Sequence, residues 1–199
     1  MHGMVNRAIE RFVRDTYRPD TWLKIIRGLG LDFTEFEPML IYDAELTDRV
    51  LDALSTHLQK DRDDILEDIG TYLVSHPKTE AIRRLMRFGG VNFHDFLRSL
   101  DDLPERARLA VPDLHLPEME LREHTISSFS LSVRSADMGM FGFGHVVMGL
   151  LRAMADDYGA LVLLDHKGCN ARTEILEIQL ADATFTTGRD FELGAGLDA

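Results

Sequence analysis

The sequence predicts an α+β fold in which a helical half, about residues 1–110, precedes a mixed half, about residues 111–185. Three observations carry this. Apolar residues recur at helical spacing from Val5 to Leu103, an alternation of period two replaces that pattern after Pro112, and one further helical stretch lies among strand-like segments.

The elements follow in order. Val5, Ile9, Phe12, Val13 and Thr16 define a first helix ending at Tyr17-Arg18-Pro19. Asp20 is placed to cap a short second helix through Trp22, Ile25 and Ile26, stopped by Gly28 and Gly30. Leu46, Val50, Leu51, Leu54 and Leu58 form a third stripe, and Asp61 opens a fourth helix with Ile65, Ile69, Tyr72 and Leu73 inward. Thr79 precedes a segment carrying Ile82, Leu85 and Met86. Asn92 then caps a patterned helix through Phe93, Phe96, Leu97, Leu100 and Leu103, which is expected to end or kink at Pro104. Glu118–Arg122 and Phe129–Arg134 read as a hairpin, Val146–Met154 as a helix, and Leu161–Leu164 and Ile175–Leu180 as two further strands. Residues 1–185 are expected to make one domain and 186–199, rich in glycine and acid, a flexible tail.

Composition narrows the functional classes. The 199 residues carry a net charge of -12 with no local cluster of Lys and Arg, so phosphate backbones and anionic lipids are repelled and nucleic acid is not an expected partner. A single cysteine, Cys169 in a loop-like run Lys167–Asn170, allows no internal disulfide and no cysteine zinc site; with no signal-peptide pattern, a cytoplasmic setting is expected. The longest nearly uncharged run, Met138 to Leu151, falls short of the ~20 residues that span a bilayer, so no membrane segment is expected. Enzymatic motifs are missing as well. The glycines 139, 142 and 144 lack the Lys-Ser/Thr of a phosphate loop, and neither HExxH nor G-x-S-x-G occurs; His57, His76, His94, His124 and His166 are dispersed among polar residues without paired spacing, so no metal cluster is expected.

Several stretches resemble one family. Met1-His2-Gly3-Met4-Val5-Asn6 with Ala8-Ile9 and Asp20-Thr21-Trp22, then Phe96-Leu97-Arg98-Ser99-Leu100-Asp101-Asp102-Leu103, Val111–Pro117 and Val147–Leu151, are similar in order and spacing to the haem nitric oxide/oxygen binding (H-NOX) family, which includes the sensor region of the soluble guanylate cyclase β subunit. The resemblance covers about residues 1–185. It implies haem b between the two halves, a diatomic gas at the iron, and a signalling enzyme such as a diguanylate cyclase or histidine kinase as partner.

The same resemblance exposes missing parts. Pro104 stands at the family's proximal iron-ligand histidine, and proline offers iron no lone-pair nitrogen. The Y-x-S-x-R signature that grips the haem propionates falls on Val133, Ser135 and Asp137, so a carboxylate occupies the place of the guanidinium. Pro117 matches a family proline that packs on the haem, and Leu73 stands where some members carry a hydrogen-bonding or bulky aromatic residue. No cofactor is therefore expected by the standard ligation, and the chain reads as a non-enzymatic regulatory domain acting through a partner. Two alternatives stay open: a haem sensor recruiting His115 or His145, and a module for another apolar ligand. Phe96, Leu100, Leu103, Met140, Phe141, Phe143 and Met148 are expected to narrow the vacated space.

Overall fold

The helical periodicity of the first half and the alternation of the second both appear in the computed structural model, which describes residues 1–135, 142–170 and 172–191. The helices are α1 (Gly3–Thr16), α2 (Pro19–Gly28), α3 (Ala44–Leu58), α4 (Arg62–Ser75), α5 (Glu80–Arg87), α6 (Phe93–Arg98), α7 (Leu103–Ala110) and α8 (Phe143–Tyr158). The strands are β1 (Glu118–Thr125), β2 (Ser128–Arg134), β3 (Leu161–Asn170) and β4 (Thr173–Asp182), in one antiparallel sheet of order β1-β2-β4-β3.

Local chemistry corrects several expected boundaries. Pro19 is the first residue of α2, so Asp20 lies within its first turn, where a carboxylate favours the helix dipole, instead of capping it. The predicted helix from Asn92 is two helices. The Asn92 side chain accepts from the Asp95 N–H and opens α6, which stops at Arg98, where the Ser99 N–H reaches back to the Phe96 carbonyl. Pro104 then sits in the first turn of α7; its missing N–H leaves no helical bond unmade there, so it helps start a helix where the sequence pattern suggested an end. Lys167–Asn170 continues β3, with a bulge between His166 and Cys169 where Gly168 takes φ 88°. A second irregularity lies in β1 between Glu123 and Thr125.

The start of the expected tail is tied down. The Thr186 N–H donates to the Gly159 carbonyl, the Arg189 N–H to the Asp157 carbonyl, and the Arg83 guanidinium to the Asp190 carbonyl. Backbone partners on α8, together with the guanidinium from α5, thus fix residues 186–190, a pairing that the tail's composition does not reveal.

Two apolar cores result. Trp22, Ile26, Phe36, Leu54 and Ile65 centre the one built on α1–α4; Phe96, Leu97, Leu131, Leu151 and Leu176 centre the one between α5–α8 and the sheet. Helices α4 and α8 join them at two glycines. A Cβ on Gly70 would lie 2.0 Å from the Val146 carbonyl oxygen, and one on Gly149 would lie 1.9 Å from the Glu67 carbonyl oxygen, so the backbones touch. Around this contact, the Tyr72 hydroxyl on α4 donates to Asp15 Oδ2 at 2.7 Å, while Lys78 Nζ reaches Asp15 Oδ1.

Gly149→Ala places a methyl against backbone that cannot turn aside, and the expected result is a loss of about 1–3 kcal/mol in chemical denaturation, with Gly149→Val worse. Desolvation raises the Asp15 carboxyl, but the hydrogen bonds from Lys78 and Tyr72 outweigh it and hold its pKa below the ordinary value. A lowered folded-state pKa contributes stability above the unfolded value and loses it as pH falls through the folded one. Asp15→Asn should therefore flatten the acid limb of a stability–pH profile between those two pKa values.

Candidate functional site

The apolar faces of α1, α4, α5, α7 and α8 converge on a cavity of 520 Å³. Leu66, Ile69 and Leu73 reach it from one stripe of α4, Val146, Val147 and Leu150 from α8, and Leu103, Ala107 and Ala110 from α7. Alanines create much of the room: Ala8, Ala81, Ala107 and Ala110 all line the wall. Its volume falls in the range of about 300–1,000 Å³ typical of small-molecule pockets.

Two polar side chains border this space, and each is already engaged. The Thr47 hydroxyl donates to Asn6 Oδ1 at 2.7 Å. Arg62 pairs with Asp48 and, at 3.2 Å, with Asp52. Among the described residues of the wall no histidine occurs, and the soft donors present are the thioethers of Met1, Met4, Met86 and Met119.

The residues singled out by sequence are distributed unevenly around the cavity. Leu73 lies on its wall. Pro104 is buried in the first turn of α7, between the wall residues Leu103 and Ala107. Val133 is buried within β2, and Ser135 just beyond it donates its N–H to the Arg172 carbonyl; neither reaches the wall. Pro117 is buried ahead of β1, also off the wall, and Asp137 lies outside the described residues.

His115 is exposed, with Nδ1 3.0 Å from the Asp113 carbonyl oxygen. His145 stacks on His166 with ring centroids 4.2 Å apart, and neither His115 nor His145 lines the cavity.

The residues expected to narrow the space are divided. Leu100, Leu103 and Phe143 are part of the wall, Phe96 and Met148 are buried in the core beside the sheet, and Met140 and Phe141 lie outside the described residues. Sequence reasoning overlooked the wall alanines and Met86 and Met119; the alanines on the apolar faces of α1, α5 and α7 were the available signal. It also overlooked Glu174, which interrupts the apolar inward face of β4, and read His166 only as one of several dispersed histidines.

A helical half and a mixed half meeting over one apolar cavity define the H-NOX class of domain. The H-NOX protein of K. algicida, unliganded in the Fe(II) state, is similar over 92% of this chain and 97% of its own, with TM-score 0.76 and 17% identity. The S. oneidensis H-NOX protein in the Fe(II)NO state is similar over 92% and 100%, with TM-score 0.75 and 15% identity.

A family model described as Haem-NO-binding matches residues 2–166, and the chain belongs to that family. Soluble guanylate cyclase 89Db of Drosophila melanogaster is 23% identical over 161 residues, 81% of this chain and 24% of the fly protein. Soluble guanylate cyclase gcy-31 of Caenorhabditis elegans is 23% identical over 157 residues, 79% and 22%. The chain thus spans about a quarter of the length of these relatives. None of its described helices is long and apolar enough to cross a membrane.

The cavity suits haem in apolar character, but the described residues do not fit its histidine-ligated form. Among the described residues no imidazole faces the cavity, and the one guanidinium lining it is held by two aspartates. Filling the cavity from within tests its role: Leu73→Trp should weaken binding of an apolar fluorescent dye by tenfold or more while circular dichroism stays unchanged.

Proposed function

We propose that this chain is a regulatory ligand-binding domain whose cavity takes an uncharged apolar molecule in place of histidine-ligated haem, and which acts through a signalling enzyme. The observation that carries this reading is the 520 Å³ hydrocarbon-walled cavity beside Pro104. A bound apolar ligand takes those walls out of contact with water, a gain of about 25 cal/mol per Å² of apolar surface covered, without needing a charged partner on the wall. The guanylate cyclase relatives support a signalling enzyme as the partner class; a diguanylate cyclase or histidine kinase is the form suggested by the family resemblance.

A haem held without histidine is the second reading, favoured by the Met86 and Met119 thioethers on the wall. Titration of the purified chain with haem separates the two. The wild type should give no saturable one-to-one complex with a shifted Soret band, whereas Pro104→His should gain one, since that position lies between two wall residues. A stoichiometric haem complex in the wild type overturns the first reading, and its loss in Met119→Leu assigns the iron ligand. Native mass spectrometry of the chain as purified should then reveal a neutral apolar adduct.

A further inference from the structure

We infer that His145, His166 and Glu174 form a binding site for a divalent transition-metal ion of the zinc type, separate from the cavity wall. One ligand atom from each residue lies within 4.8 Å of the others. The fold brings them together from three elements: His145 in the first turn of α8, His166 on the inward face of β3, and Glu174 on the inward face of β4.

Glu174 is the anomaly that points to an ion. It occupies a position where β4 otherwise buries Leu176, Ile178 and Leu180, and it is only 4% exposed. A carboxylate there needs compensation. Its Oε1 accepts the Gly144 N–H at 3.0 Å, and its Oε2 lies 3.0 Å from His166 Nε2. Two imidazoles then stack nearly parallel, 17° apart, with His145 Nδ1 3.4 Å from Glu67 Oε1 and Nε2 3.5 Å from Asp63 Oδ2. Once one nitrogen of His145 coordinates, the other keeps its carboxylate, the arrangement that orients metal-bound histidines, and the contact on the coordinating nitrogen opens.

Space for an ion is also built in. A Cβ on Gly144 would stand 2.6 Å from Glu174 Oε2 and 3.0 Å from His166 Nε2, so the glycine keeps open the volume directly over two donor atoms. Bonds of about 2.0–2.2 Å place tetrahedral ligands roughly 3.3 Å apart, a closure that side-chain rotation supplies. Two imidazoles and one carboxylate favour zinc, cobalt or nickel over calcium or magnesium, and three protein ligands leave a fourth position to water.

Binding implies a defined proton movement. The Gly168 N–H donates to His166 Nδ1 at 3.1 Å, so without an ion the imidazole proton sits on Nε2, facing Glu174. Coordination through Nε2 transfers that proton to Nδ1, and the Gly168 N–H must turn away. Gly168 is exposed, at positive φ, with nothing within 4 Å of where a Cβ would be. The ion would pin the first turn of α8 to the β3–β4 hairpin, next to cavity residues Phe143 and Val146.

The test uses the full chain stripped with EDTA and titrated with zinc chloride against a chromogenic chelator. One equivalent should bind, His145→Ala and His166→Gln should each weaken binding at least tenfold, and His124→Ala, on exposed β1, should leave it unchanged. Circular dichroism of each metal-free variant checks folding, and the separate His145 change on α8 keeps the test valid if the β3 change does not fold. Cobalt(II) should give visible d–d bands without thiolate-to-metal charge transfer. Absence of saturable binding, binding indifferent to both histidine changes, or a thiolate band removed by Cys169→Ser would each overturn the assignment.

Discussion

The backbone contact between α4 and α8 is the constraint on which the rest of the molecule depends. Side chains normally hold helix axes about 8–10 Å apart, but Gly70 and Gly149 let carbonyl oxygens of the facing helix occupy the space of two missing Cβ atoms. The Thr71 hydroxyl adds a hydrogen bond to the Gly149 carbonyl across the same seam. Because most of α4 belongs to one core and most of α8 to the other, this seam is where the helical half and the sheet half become one body. It also sets the cavity, since Leu66, Ile69 and Leu73 on α4 and Val146, Val147 and Leu150 on α8 are held at its edge by the glycines between them.

Charge is arranged so that the cavity stays apolar. Glu10, fully enclosed on α1, is neutralised by Arg7 and Arg14 and accepts the Phe36 N–H at 2.9 Å. Asp157, equally enclosed on α8, takes the Nε of Arg83 at 2.8 Å, with Arg87 close by. These two buried carboxylates thus have guanidinium partners on their own side of the molecule, the condition under which burial is tolerated. Arg62, the one charged side chain lining the cavity among the described residues, is paired with Asp48 and Asp52, and the Met1 amino group donates to the Tyr42 carbonyl, so both cations are already engaged.

Much of the fold was legible because it rests on period. The stripes through α1, α3 and α4 and the alternation of Phe129, Leu131 and Val133 translate directly into buried faces. Family order supplied the architecture, and the family match and the fold similarity to H-NOX proteins agree with it. What escaped was set by tertiary partners. An N–H bond to Phe96 divides α6 from α7, and Asp157 and Gly159 supply carbonyls that hold residues 186–189. The cavity escaped for a related reason: large residues such as Phe96 and Met148 looked able to fill it, yet both found places in the sheet core, and small residues on facing helices kept the space clear. Identity at Pro104 was readable in one dimension; that none of the described imidazoles lines the cavity required three.

The bulge in β3 has an effect beyond placing the Gly168 N–H on an imidazole. In the order β1-β2-β4-β3 the outer strands are β1 and β3, and each is irregular, β1 between Glu123 and Thr125 and β3 between His166 and Cys169. A long, straight edge is a template for strand addition by another molecule. Here the β1 edge loses its regular row of donors and acceptors near one end and the β3 edge at two places, the second between Leu161 and Val162, and Lys167 stands at the break after His166. Lateral growth of the sheet is thereby opposed at both margins, so an acidic domain with exposed Leu161 and Leu163 on its rim is protected from intermolecular β-pairing by backbone shape as well as by charge.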